Sequence, residues 1–125
     1  NGADKDVLEV EDFYLGKGGD FWVIEYQGEI VGTGAYYLIE RGNNAVEIRK
    51  MYLLPKARGF GLGKYLLQQL DAAISCRGFK QIWIETASVL SEAVKLYENN
   101  GYKPATGVET ERCDRVYFKE LGVRN

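Results

Sequence analysis

Apolar and polar positions alternate through much of the first half of the chain and recur at helical spacing in the second. Phe21 to Tyr26 is aromatic and β-branched, which predicts a strand. Gln27-Gly28 marks a tight turn, and a long strand follows from Glu29 to about Ile39. Gly32 and Gly34 share one face of it, which predicts a bulge or the close approach of another element. Arg41-Gly42-Asn43-Asn44 reads as a loop and Ala45 to Leu54 as a third strand, ended by Pro55. Alternation assigns Val46, Ile48, Tyr52 and Leu54 to one face, and Glu47, Arg49, Met51 and Leu53 to the other. Three strands with short turns predict an antiparallel meander. Upstream, Val7, Leu8, Val10, Phe13, Tyr14 and Leu15, ahead of Gly16, predict a short helix over residues 7–15.

From Leu62 the period changes. Leu62, Leu66, Leu67, Leu70, Ala73 and Ile74 form one stripe, with Lys64, Gln68, Gln69 and Asp71 facing away and Gly78 as the stop. Gln81 to Thr86 predicts a strand, Ser91 to Asn100 a second helix stopped by Gly101, and Arg115 to Leu121 a last strand. A strand, a helix and another strand predict parallel pairing through a right-handed crossover. The class expected is α+β with a mixed sheet, as a single domain over residues 1–125.

Composition narrows the chemistry more than the fold. No apolar run approaches the roughly 18 residues of a membrane span, and there is no signal-peptide pattern. The chain has no histidine, which removes Ser-His-Asp and Cys-His catalysis and any His-ligated metal. Cys76 and Cys113 are too few for a thiolate zinc site, so no metal is expected; two stray cysteines point to free thiols in a reducing cytoplasm. Residues 1–47 carry ten acids against three bases, and residues 48–103 nine bases against four acids. That local excess suits a small polyanion and is too modest for nucleic acid.

The basic stretch contains Arg58-Gly59-Phe60-Gly61-Leu62-Gly63-Lys64, where the strand pattern gives way to the helical one. Three alternate glycines let backbone approach a ligand, and the helix that follows aims N–H groups and a positive dipole end at it. Arg58 and Lys64 add charge at both edges. A phosphate cradle is the simplest physical reading. A P-loop is excluded because Arg58 and Tyr65 stand where glycine and Ser or Thr are needed. A dinucleotide fingerprint matches Gly59 and Gly61 but meets Lys64 at its third glycine, although Glu85 lies at about the distance of a ribose contact. A glycine-rich loop without a ligand is the bland alternative.

Leu54-Pro55, then Arg58 to Gly63 leading into a Leu-rich helix, resembles the signature of the GCN5-related N-acetyltransferases. That pattern, Arg or Gln, two residues, Gly, one residue, Gly or Ala, is met by Arg58, Gly61 and Gly63. A second segment agrees: Trp83-Ile84-Glu85-Thr86, then Ala93, Leu96-Tyr97 and Gly101-Tyr102. The resemblance covers about residues 20–120 and implies a mixed, mostly antiparallel sheet flanked by helices. Its central parallel strand pair is expected to splay at the cofactor site.

The resemblance implies acetyl-CoA as cosubstrate and an amine as acceptor, acetylated by direct attack without a covalent intermediate. The pyrophosphate would rest on the backbone of Gly59, Phe60, Gly61, Leu62, Gly63 and Lys64 beside Arg58, and the pantetheine arm along the main chain of Met51 and Leu53. A backbone N–H near Leu53 would polarise the thioester carbonyl. Tyr97 falls at the position of the family's general acid, although spacing alone also puts it on a core stripe with Ala93 and Leu96. Glu85 and Glu47 each match a position used as base by some relatives, directly or through water. Cys113 has no base near it in sequence and reads as structural. Many relatives are dimers, so a homodimer is among the implied assemblies.

Two departures qualify this. Leu90 stands where many relatives carry an asparagine that contacts the cofactor. Only about twenty residues precede the first hairpin, where the family has a strand and two helices, so the front is expected to be shortened or missing, and Asn1 suggests a processed chain or one lacking upstream residues. The rival reading is a non-catalytic acyl-CoA-binding or regulatory module with the same fold.

Overall fold

The computed structural model describes residues 13–18, by their backbone alone, and residues 21–122. Seven strands form one sheet in the order β1 (Phe13–Gly18), β2 (Phe21–Tyr26), β3 (Glu29–Ile39), β4 (Ala45–Leu53), β5 (Gln81–Thr86), β7 (Arg115–Glu120) and β6 (Lys103–Ala105). A 3-10 turn (Pro55–Ala57) and helix α1 (Leu62–Cys76) connect β4 to β5, and helix α2 (Ser91–Asn99) connects β5 to β6. Only β4 and β5 run parallel; every other neighbouring pair is antiparallel. The expected mixed sheet is present.

The expected helix over residues 7–15 is corrected where the structure describes it. Phe13 to Leu15 belong to β1, which pairs with β2 from Phe13 opposite Tyr26 to Gly18 opposite Phe21; residues 7–12 lie outside the described residues. Aromatic residues favour a strand, and the edge of β2 supplies a full ladder of hydrogen bonds that a short helix would have to replace. Strand β6 had no sequence signal. It is three residues long and contains Pro104, tolerated because β6 is the outer strand of the sheet.

The register between β3 and β4 slips by one residue between the pairs Thr33–Tyr52 and Ala35–Arg49. The extra residue is on β4, where Lys50 adopts a left-handed φ of 60° and its carbonyl accepts a hydrogen bond from Thr33 Oγ1 at 2.7 Å. This bulge reverses the alternation beyond it. Val46 and Ile48 are core residues; Met51 and Leu53 pack against the same core, while Tyr52 is 52% exposed. The expected faces are corrected accordingly: Tyr52 leaves the face of Val46 and Ile48, and Met51 and Leu53 leave that of Glu47 and Arg49.

Both reasons anticipated for the paired glycines apply. A Cβ on Gly34 would lie 3.0 Å from Met51 Sδ and 3.0 Å from Leu70 Cδ1, and one on Gly32 would lie 2.7 Å from Leu53 Cδ2. Helix α1 therefore settles directly onto β3. Leu66, Leu67, Leu70 and Ile74 of α1 are fully buried against Ile48, Ile82 and Ile84. Each such side chain contributes roughly 1.5–3 kcal/mol on burial.

One feature of the sheet positions everything that follows. The β4–β5 ladder has three pairs, Ala45–Gln81, Val46–Ile82 and Glu47–Trp83, although β4 continues to Leu53 and β5 to Thr86. Beyond Glu47 the strands part, and the β5-facing backbone edge of β4 has no strand partner.

Candidate active site

The glycine stretch lies at the far end of this split. Ala57 N–H donates to Leu54 O at 2.9 Å, and Leu54 N–H to Val31 O at 2.9 Å, so the chain leaves β4 in a fixed turn. Gly59 and Gly61 then take φ values of 88° and 79°, a region that side chains with a Cβ avoid. Gly61 caps α1 with no side-chain hydrogen bond, and no acidic residue occupies the first turn. The first N–H groups of the helix are therefore left for a ligand. Space above Gly61 is open, with nothing within 4 Å of where a Cβ would stand. A Cβ on Gly63 would lie 3.5 Å from Leu53 and 3.4 Å from Leu96, so the helix begins close to both β4 and α2.

Around this cradle, Lys64 and Arg58 are exposed while Leu62 is buried and Phe60 packs against the core. Arg58 Nε also donates to Leu53 O at 3.2 Å, tying the loop to the end of β4. Met51 and Leu53 lie on the stretch of β4 whose backbone edge faces the split. An anion can meet N–H donors and cationic side chains here, and an extended chain can add to β4 as a further strand would.

Tyr97, from α2, is nine-tenths buried or more and packs against the rings of Tyr102 and Tyr117 at centroid distances of 6.0 and 6.3 Å. Its hydroxyl makes no hydrogen bond to another described residue. Burial, and secondarily the Cys113 thiol, push its pKa from 10.0 up to about 12. A phenol held neutral in this way is a proton donor throughout the ordinary pH range.

The two carboxylates differ in their surroundings. Glu47 sits at the last β4–β5 pair and accepts from Arg49 Nε at 3.1 Å and Nη2 at 2.8 Å, both on Oε1. The Glu85 side chain is 4% exposed and accepts from Arg41 Nη1 at 3.0 Å, Glu109 N at 2.8 Å and Thr110 N at 2.9 Å. Burial raises its pKa, but the Glu109 N–H, the Thr110 hydroxyl, Arg41 and the Thr110 N–H together outweigh burial and leave it below the ordinary carboxylate value. At Cys113, burial and then the charges of Glu85, Glu47 and Asp114 push the thiol up, so it is a poor nucleophile.

Sequence reasoning missed Arg41 and residues 106–114, which surround Glu85. Arg41 carried no motif, since its partners lie 44 and 65 residues away along the chain. Leu90, at the entry to α2, is 55% exposed and makes no side-chain cap. Among the described residues no group of His, Cys, Asp and Glu could hold a metal, and no helix is long and apolar enough to cross a membrane.

Comparison with known proteins gives this geometry a family. The model of the acetyltransferase (GNAT) domain matches residues 17–104. The uncharacterized N-acetyltransferase YjgM of Escherichia coli is 37% identical over 102 residues, which are 81% of this chain and 61% of that protein. N-acetylaspartate synthetase of Xenopus tropicalis is 33% identical over 108 residues, 83% of this chain and 38% of that protein. This chain thus spans less than two thirds of either relative. A GNAT family acetyltransferase from Elizabethkingia anophelis, whose crystal structure has acetyl-CoA bound, superposes with a TM-score of 0.68 at 19% identity, covering 81% of this chain and 75% of that one. The matched domain takes in β2 to α2 and the first residues of β6, with the glycine cradle, the strand split and Tyr97 inside it, and the chain belongs to the GNAT acetyltransferase family.

Proposed function

We propose that this chain is an N-acetyltransferase that binds acetyl-CoA and acetylates a primary amine of a small molecule or peptide in a ternary complex. The observation that carries the reading is the parting of β4 from β5 after Glu47, beside a helix N-terminus that no side chain caps. The residues fit the cosubstrate: backbone from Gly59 to Lys64, with Arg58, receives the pyrophosphate, and the open edge at Met51 and Leu53 receives the pantetheine amides. Bound acetyl-CoA supplies the thioester that the amine attacks.

The chain's own residues then have separate tasks. An N–H near Leu53 would donate to the thioester carbonyl oxygen and stabilise charge that develops there. Tyr97 keeps its proton until the leaving thiolate needs it. Of the two candidate bases, Glu47 has the better surroundings, because Oε2 makes no hydrogen bond among the described residues and can accept from the amine, directly or through water. A reducing, cytoplasmic setting and a homodimer belong to the same reading; the free thiols of Cys76 and Cys113 support the former.

One observation favours a second reading. The exposed, uncapped Leu90 at the entry to α2 removes a polar contact from the cofactor side, as in a module that binds acyl-CoA without turning it over. Thiol release from acetyl-CoA across a panel of amines separates the two. Amine-dependent release that Tyr97→Phe suppresses supports the enzyme. If no amine stimulates release while CoA still raises the melting temperature, the module reading replaces it.

A further inference from the structure

The segment between β6 and β7 has no regular structure, yet it is sewn down along its length. Arg41, from the loop after β3, donates through Nη2 to Thr106 O at 2.9 Å and to Gly107 O, and through Nη1 to Glu85. Its guanidinium lies 4.5 Å from the centre of the Trp83 ring, which fixes its plane. Glu85 takes the next two amides, Glu109 N–H on Oε2 and Thr110 N–H on Oε1. Further along, Cys113 N–H donates to Thr110 O at 3.0 Å, and Asp114 N–H to Thr86 O at 3.1 Å. Asp114 Oδ1 accepts from Ser88 N–H at 2.7 Å, and Ser88 Oγ from Arg115 Nε at 2.7 Å.

Residues 106–114 therefore form a strap fastened to the end of β5 at Glu85 and Thr86. Its central fastening is a carboxylate with 4% exposure, paired with a guanidinium of 18%. Glu85 shares a face of β5 with Trp83, the register partner of Glu47, and lies two residues further on, where β4 and β5 have parted. The strap it fastens therefore borders the space in which an amine would meet the proposed base.

We propose that Glu85 is a positioning residue: together with Arg41 it fastens the 106–114 strap as a wall of the acceptor site, and so governs how the acceptor is held rather than taking its proton. This rests on the acetyltransferase reading. The geometry distinguishes the two roles. A base needs a free oxygen aimed at the amine, and both oxygens of Glu85 already receive main-chain N–H groups of the strap. Arg41 needs its fork to reach Glu85 and two carbonyls at once, which a lysine ammonium on a flexible stem does not reproduce.

The test compares Glu85→Gln and Arg41→Lys with the unaltered chain, using saturating acetyl-CoA and an amine selected by thiol release. The expected result for both variants is an acceptor KM raised about tenfold or more, with kcat within about threefold and the pH–rate profile unmoved. Amide hydrogen exchange at Glu109 and Thr110 should quicken in both, while the β5 amides keep their protection. A fall in kcat of about 10²–10⁴ in Glu85→Gln alone, at unchanged KM, would identify Glu85 as the base and overturn the proposal. Unchanged exchange at Glu109 and Thr110 would overturn it as well. If the unaltered chain acetylates no amine, the transferase reading itself fails, and the exchange result still reports separately on what fastens the strap.

Discussion

Arg49 places Nε and Nη2 on a single oxygen of Glu47, at 3.1 and 2.8 Å, at the point where β4 and β5 separate. A bidentate fork would have occupied both oxygens; this arrangement holds the carboxylate in orientation and leaves Oε2 for an acceptor proton. Glu47→Gln keeps the size and removes the proposed base. The expected outcome is a fall in kcat of about 10²–10⁴, with CoA affinity unchanged by calorimetry. Retention of full kcat would remove Glu47 from the mechanism.

Tyr97→Phe should lower kcat by about 10²–10⁴ and leave cofactor affinity intact, because only the hydroxyl is lost. The raised pKa makes a second prediction. The folded state holds this phenol neutral up to about 12, whereas in the unfolded chain it ionises near 10.0. The stabilisation is complete below pH 10 and is lost as pH rises from 10 towards 12. Across that window the unaltered chain should lose stability relative to Tyr97→Phe, measured by urea unfolding of both. Parallel curves would show that the phenol is not held neutral.

Gly61 has open space above it and a left-handed φ at the start of α1. Gly61→Asp would set a carboxylate against the proposed pyrophosphate. Juxtaposed like charges cost several kcal/mol, so CoA affinity should fall by about 100-fold or more. Affinity within a few-fold of the original in this variant would sink the cradle.

Lys50 holds the bulge in a left-handed conformation that strains a residue with a Cβ, and a β-branched one most. Lys50→Val should lower the unfolding free energy by about 1–2 kcal/mol, and Lys50→Gly should not. Chemical denaturation of the three proteins gives the comparison. Equal stability of the valine and glycine variants would mean that the register slip relaxes without cost.

The meander, both helices and the cradle are local patterns: alternation from Phe21 to Ile39, a leucine stripe from Leu62 to Ile74, and three glycines at the junction. They were legible because each is written in neighbouring residues. The extra residue at Lys50 was not, since alternation counts positions and an insertion shifts the count for Met51, Tyr52 and Leu53. Residues 13–15 were misread because six apolar positions fit a helix as well as they fit an edge strand, and only the partner β2 decides between them. Tyr97, Glu47 and Glu85 were found through resemblance. The fastening of Glu85 by Arg41 and by the amides at 109 and 110 joins parts of the chain 44, 24 and 25 residues apart, a relation that no local pattern encodes.

The three-pair parallel ladder has a consequence for how this chain tolerates change. An edge made of main-chain N–H and C=O groups offers the same hydrogen bonds whatever side chains it carries. Met51 and Leu53 turn those side chains inward, against the core. Substitution at either position is therefore screened by packing, and a cofactor held as proposed would scarcely sense it so long as the bulge at Lys50 holds the edge in register. On that reading, donor recognition can persist through extensive drift in residue identity, while the strap and the proposed acceptor-side carboxylates are free to diverge.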